Sequence, residues 1–136
     1  NMIDTAPTES NLSGLDRKNF QKNINSKKTD LYILKNALGM EVAVTNYGCA
    51  ILSIMVPDKN GKYANVILGH DSIEHVVNSP EPFLSTTVGR YGNRIANGKF
   101  TLYGEEHQLT VNNGPNSLHG GPTGFHARVW DAVQPN

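Results

Sequence analysis

From Leu31 onward the hydrophobic residues recur at every second position, in runs of five to seven, and each run is closed by Asn, Gly or Pro. A period of two places alternate side chains on opposite faces of an extended strand, whereas a helix needs a period of 3.6. Residues 31–35, 40–46 and 50–56 form such runs, separated by turn chemistry at 36–39 and at Tyr47-Gly48. In the second run Val42 and Val44 alternate with Glu41, Ala43 and Thr45, which suits a strand with one buried face. The third is apolar on both faces except at Ser53, which predicts a central strand covered on both sides. Asn, Gly and Pro number 16, 13 and 7, so 36 of the 136 residues favour turns. That composition disfavours an all-helical bundle and predicts many short elements.

Further strands are expected at 65–68, 84–88, 99–103 and 106–111, with Gly104-Glu105 as a hairpin turn, and a strand-like stretch at 127–133. Residues 72–77 read as one short helix, with Asp71 placed to cap it and Glu74 three positions on. Strands this short at spacings of roughly 8–12 residues define an all-β antiparallel sandwich or barrel. Residues 1–29 are polar and read as a flexible lead-in, leaving 30–136 as the folded part. The Asn1-Met2 opening fits either one extra residue ahead of Met2 or a spacer behind a removed targeting segment, which would put the protein in the periplasm or outside the cell.

Charge and cysteine content narrow the function classes. Twelve basic and twelve acidic residues, with no basic cluster, argue against nucleic acid and membrane surfaces as partners. Cys49 is alone, so neither an internal disulfide nor a cysteine metal cluster is available. No HExxH or paired-His spacing suggests zinc, and no motif calls for a cofactor. The segment from Gly92 to Lys99 imitates a phosphate loop but lacks the spacing and the closing Ser or Thr, since Phe100 stands there. Asn11-Leu12-Ser13 fits a glycosylation sequon, a triplet common by chance.

Two loops have the composition of ligand sites. Residues 89–98 hold three Gly and two Arg in ten positions, and Gly-rich loops let backbone approach a ligand. Residues 112–121 place His119 between a turn-rich approach and the pair Gly120-Gly121, where an imidazole either faces a ligand or is an ordinary loop histidine. His70, His75, His107 and His126 read as surface or packing residues, Cys49 as a small buried hydrophobe, and Trp130 as either core or sugar platform.

The run Thr87-Val88-Gly89-Arg90-Tyr91-Gly92-Asn93-Arg94-Ile95-Ala96-Asn97-Gly98-Lys99-Phe100, then Asn116-Ser117-Leu118-His119-Gly120-Gly121, then Gly124-Phe125 and Trp130, resembles the aldose 1-epimerase (galactose mutarotase) family. Val56-Pro57-Asp58 and Val66-Ile67-Leu68-Gly69 are similar to the family's beginning, so the likeness covers about residues 31–130. The resemblance implies the N-terminal portion of a mutarotase-like β-sandwich (supersandwich), with the remainder of the domain outside this chain. It implies interconversion of the α and β anomers of a free aldohexose such as galactose or glucose, by ring opening and reclosure under acid and base. Arg94 and Asn93 match sugar-binding residues, and His119 matches an active-site histidine that hydrogen-bonds the sugar near its ring oxygen. The family's glutamate base and histidine acid lie downstream of the Leu-His-Gly-Gly segment, so the chain is expected to need a complementary segment, as a separate chain, for turnover. Two other readings keep the fold: a noncatalytic carbohydrate-binding or subunit-interaction module, and a hexose-phosphate epimerase in which Arg90 and Arg94 clamp phosphate.

Overall fold

The computed structural model describes residues 10–135. In chain order it contains a 3-10 turn at Arg17–Phe20, strands β1 (Asn23–Ile24), β2 (Lys27–Lys28), β3 (Leu31–Lys35), β4 (Glu41–Thr45), β5 (Ala50–Pro57) and β6 (Tyr63–Asn65), then helix α1 (Ile73–Val77). There follow β7 (Arg94–Ile95), β8 (Lys99–Leu102), β9 (Glu105–Gln108) and β10 (Ser117–Leu118), with 3-10 turns at Ala96–Gly98 and Phe125–Ala127. All strand pairings are antiparallel: β3-β4-β5-β6 form one sheet, and β1-β2, β8-β9 and β7-β10 form three two-stranded ladders.

The period-two runs become β3, β4 and β5 because each can bury one face. Leu31, Thr45 and Ala50 lie in one cross-strand row and Ile33, Ala43 and Ser53 in the next. A β-bulge at Ala43/Val44 leaves Leu52 without a ladder partner and sends both Leu52 and Ser53 inward. Leu31, Ala43, Ala50 and Leu52 pack with Phe20, Ile73 and Val76, so the 3-10 turn and α1 cover this face. On the opposite face stand the rows Tyr32, Val44, Ile51 and Leu34, Val42, Ile54, half-buried except for Leu34, which is 51% exposed. The strand expected to be covered on both sides is internal to its sheet but fully covered on one face.

Several boundaries move, each for a local reason. Strand 65–68 is replaced by β6 at Tyr63–Asn65, where Asn65 Oδ1 accepts from Ile54 N–H and Ile67 N–H and ends the ladder. Helix α1 is capped by Ser72, whose hydroxyl accepts from His75 N–H at 3.3 Å, while Asp71 Oδ1 contacts His75 Nδ1 at 2.6 Å. The hairpin turn falls on Tyr103-Gly104, both at positive φ, with Leu102 facing Glu105. Residues 84–88 are irregular: Ser85 takes φ 56°, its carbonyl accepts from Ile51 N–H, and Thr87 N–H donates to Gly48 O. Residues 127–133 make only a single bridge, Val129 to Tyr47.

The expected lead-in spans residues 1–29, of which 1–9 lie outside the described residues. Over 10–29 the chain is folded onto the sheet. Phe20 is 0% exposed, Thr29 Oγ1 donates to Phe20 O at 2.6 Å, and Thr29 N–H closes the β1-β2 turn on Lys22 O. The fully buried Glu41 carboxylate accepts from Leu12 N–H and Ser13 N–H, with Lys35 Nζ at 3.8 Å. Polar composition concealed this packing, because one aromatic and one buried acid do the anchoring. The sequon residue Asn11 uses its side chain within this segment, donating to Leu15 O and accepting from Ser13 Oγ.

Candidate functional site

The site is assembled by a ladder of only two residue pairs. In β7-β10, Leu118 pairs with Arg94 and Ser117 with Ile95, which sets residues 93–94 beside 118–119 although they lie about 25 positions apart. Just past the ladder, His119 N–H donates to Asn93 O at 3.0 Å and Asn93 N–H donates to His119 Nδ1 at 2.9 Å. Both residues adopt left-handed backbone, φ 63° at Asn93 and φ 52° at His119, a conformation that costs a non-glycine residue free energy and concentrates at functional sites. Because Nδ1 accepts, the neutral imidazole carries its proton on Nε2 and is a donor there.

Arg94 is fixed by two side chains. Its Nε donates to Asn113 Oδ1 at 2.8 Å and its Nη1 to Asn93 Oδ1 at 3.1 Å. A guanidinium carries five N–H donors, so three remain for a ligand. Asn93 thus spends its amide oxygen on Arg94, and its amide nitrogen is what remains to meet a sugar hydroxyl. The role of Asn113 was not assigned from sequence; it stands in the Asn-rich run before His119, and only the fold brings it to Arg94.

Arg94 and Asn93 line a cavity of about 880 Å³, within the range of small-molecule sites, together with Arg90, Phe100, Phe125 and Arg128. No carboxylate lines it among the described residues. His119 stands at the margin: its neighbours Ser117 and Gly120 contribute to the wall, while its ring meets Phe83 edge-on at 4.8 Å. Glycine is required where backbone segments touch. A Cβ on Gly120, at φ +86°, would collide with Gly89 O, and one on Gly89 would collide with the Phe125 ring. Arg90 reaches over that ring, its guanidinium carbon 5.5 Å from the centroid.

Phe83 also meets His126, 5% exposed, with ring centroids 4.4 Å apart. Burial, and secondarily the neighbouring His119, lower its pKa below the usual histidine value, and no partner among the described residues reaches its Nδ1. Trp130 is packed rather than presented as a platform: its Nε1 donates to Phe125 O and its ring meets Phe125 edge-on at 5.2 Å. Cys49 is half-buried and burial raises its thiol pKa, the opposite of an activated nucleophile. His75 is exposed on α1, His107 stacks on Phe100 in the β8-β9 hairpin, and among the described residues no group of three metal-ligating side chains occurs.

The described residues thus form an antiparallel β fold with a cavity walled by guanidinium, amide and aromatic groups. The sequence pattern of the aldose 1-epimerase family matches residues 30–136, and the chain belongs to that family. It is 44% identical over 91 residues to galactose mutarotase of Bos taurus, covering 67% of this chain and 26% of that protein. It is 40% identical over 106 residues to aldose 1-epimerase of Escherichia coli strain K12, covering 78% of this chain and 30% of that one. Among solved structures, a GalM/aldose epimerase homologue from C. elegans superposes with a TM-score of 0.74 at 33% identity, over 79% of this chain and 33% of that one. Galactose 1-epimerase from Lactobacillus acidophilus NCFM gives 0.67 at 34% identity, over 81% and 31%. The chain thus spans about a quarter to a third of the length of these relatives.

Proposed function

We propose that this chain supplies the sugar-holding part of an aldose 1-epimerase that interconverts the anomers of a free aldohexose such as galactose or glucose. The observation that carries the reading is the junction of Arg94, Asn93 and His119 across the β7-β10 ladder at the cavity margin. Three guanidinium donors and the Asn93 amide nitrogen match a row of hydroxyls, and the Nε2–H of His119 offers a donor to the ring oxygen. Opening the hemiacetal needs a base at the anomeric hydroxyl and an acid at the ring oxygen. With no carboxylate on the cavity wall among the described residues, the base comes from another segment, and these residues bind sugar without turning it over. The half-covered rows on the second face of the sheet fit a complementary segment of the same fold, supplied as a separate chain.

A second reading, a hexose-phosphate substrate, is favoured by one observation: Arg90, Arg94 and Arg128 line the same cavity without ion pairs among the described residues. Polarimetry decides between them. Fresh α-D-galactose or α-D-glucose is followed to anomeric equilibrium with the complete natural protein, the 136-residue chain alone and buffer. We expect acceleration from the complete protein only. A catalytic isolated chain overturns the missing-base argument. A strong preference for hexose 6-phosphate with steep salt dependence transfers the assignment to the second reading.

A further inference from the structure

Arg94 and the strand that carries His119 are both held by one loop. Residues 112–116 fold back on themselves: Asn112 N–H and Asn113 N–H both donate to Asn116 O at 3.1 Å, and Asn116 N–H donates to Asn113 O at 2.9 Å. Three asparagine side chains reach outward from this knot. Asn113 Oδ1 accepts from Arg94 Nε. Asn112 Oδ1 accepts from Leu118 N–H at 2.7 Å while Asn112 Nδ2 donates to Leu118 O at 3.0 Å. Asn116 Oδ1 accepts from Asn97 N–H at 3.3 Å, in the turn that follows β7.

The pair of bonds from Asn112 occupies both backbone polar groups of the residue before His119, as a neighbouring strand would. β10 is only two residues long and pairs with β7. A ladder that short has little cooperativity of its own. Asn112 gives Leu118 a second anchor, so the left-handed turn at His119 starts from a fixed point. Asn113 does the corresponding task for Arg94: with Nε and one Nη1 hydrogen engaged, the guanidinium plane is set and its three other donors are presented together.

We infer that the asparagine loop 112–116 is the positioning element of the sugar site, acting through Arg94 and through the Leu118-His119 strand end. This rests on the sugar-site reading above and adds to it the residues that set its geometry. These side-chain bonds lie at the protein surface, where a hydrogen bond contributes little net stability because water replaces it. Their loss therefore shows in turnover rather than in folding.

The test uses the complete natural protein with Asn113→Ala, Asn113→Asp and Asn112→Ala. Polarimetric kcat/KM falls about tenfold or more for each alanine variant, since loosened reacting geometry commonly costs up to about a hundredfold, while thermal midpoints stay close to wild type. Asn113→Asp keeps an acceptor for Nε and retains most of the activity. Hydrogen exchange read by NMR gives an arm independent of catalysis: Arg94 Nε–H exchanges faster in Asn113→Ala, and the Leu118 amide exchanges faster in Asn112→Ala. Wild-type kinetics in the alanine variants, or an aspartate variant as impaired as alanine, overturns the inference. Absent mutarotation by the wild type overturns the functional reading; the exchange arm then decides the geometry, and unchanged exchange at Arg94 and Leu118 overturns that as well.

Discussion

Replacing Phe20 by alanine tests whether the segment before Asp30 belongs to the folded unit. Phe20 is 0% exposed and packs against Leu31, Ala43, Ala50, Leu52, Ile73 and Val76, the inward face of the main sheet and of α1. Truncating a buried Phe to Ala removes its transfer free energy and leaves a void, at a cost of about 3–5 kcal/mol. For a urea dependence of about 2 kcal/mol per molar, the unfolding midpoint should fall by roughly 2 M. Phe20→Leu, closer in volume and still apolar, is the control and should lose less than half as much. The assay is urea unfolding of the complete natural protein followed by Trp130 fluorescence, whose ring packs on Phe125 at the site. A cooperative transition for Phe20→Ala at the wild-type midpoint would refute the packing argument, and residues 10–29 would then be the lead-in that their polarity suggests.

Arg94→Lys should lower polarimetric kcat/KM by about tenfold or more, because one ammonium cannot engage Asn113 and Asn93 and still offer a planar fork; His119→Ala should impair turnover comparably, and wild-type rates in both would remove them from the site. The lowered pKa of His126 means the unfolded chain binds its proton first, so its contribution to stability is present above pH 6.5 and is lost as pH falls through and below that value. His126→Phe should flatten that part of the profile of thermal midpoint against pH, and an unchanged acid slope would contradict the assignment. Asp30 is raised by burial, but the Arg17 guanidinium and the Leu31 amide outweigh this and hold it below the ordinary carboxylate value of 3.8; its contribution is present above pH 3.8 and lost as pH falls below it, and Arg17→Ala should shift that acid loss toward higher pH in a melting series. Glu41→Ala should speed amide exchange at Leu12 and Ser13, since both lose a buried charged acceptor.

The main sheet was legible because its strands obey one simple constraint, alternate burial, over five residues or more, and the turns between them are made by residues with a strong local preference. Errors begin where that constraint lapses. Residues 84–88, with Leu84, Thr86, Thr87 and Val88, have strand composition, yet their backbone bonds go to Gly48 and Ile51 in an irregular crossing. The cap of α1 and the hairpin turn each moved by one residue because Asp71 and Ser72, or Tyr103-Gly104 and Gly104-Glu105, offer nearly the same chemistry. Phe20 lies among polar neighbours with no periodicity, so nothing local marks it as core. The meeting of the Asn93-Arg94 segment with Leu118-His119 depends on a two-residue ladder, too short to leave a periodic trace, and it was visible only through the resemblance of the whole pattern to a family.

The charges are sorted between the sheet and the cavity. The chain is neutral overall, with twelve cations and twelve anions, but they are not mixed evenly. Asp30, Glu74, Glu106 and Asp131 are paired with Arg17, Lys22, Lys99 and Lys27, Asp71 with His75, and Glu41 is buried under the N-terminal segment. Every one of these carboxylates has its partner away from the cavity, while Arg90, Arg94 and Arg128 stand around it. Under the function proposed above, such a wall of donors orients hydroxyls and withdraws density from oxygen, but among the described residues it carries no carboxylate to take a proton from the anomeric hydroxyl. Neutral His119 does not fill that place, because its lone pair on Nδ1 is already engaged by Asn93 N–H and its Nε2 is a donor. Under the function proposed above, a carboxylate arriving from another segment would meet three guanidiniums, and their unbalanced charge would draw it toward the cavity.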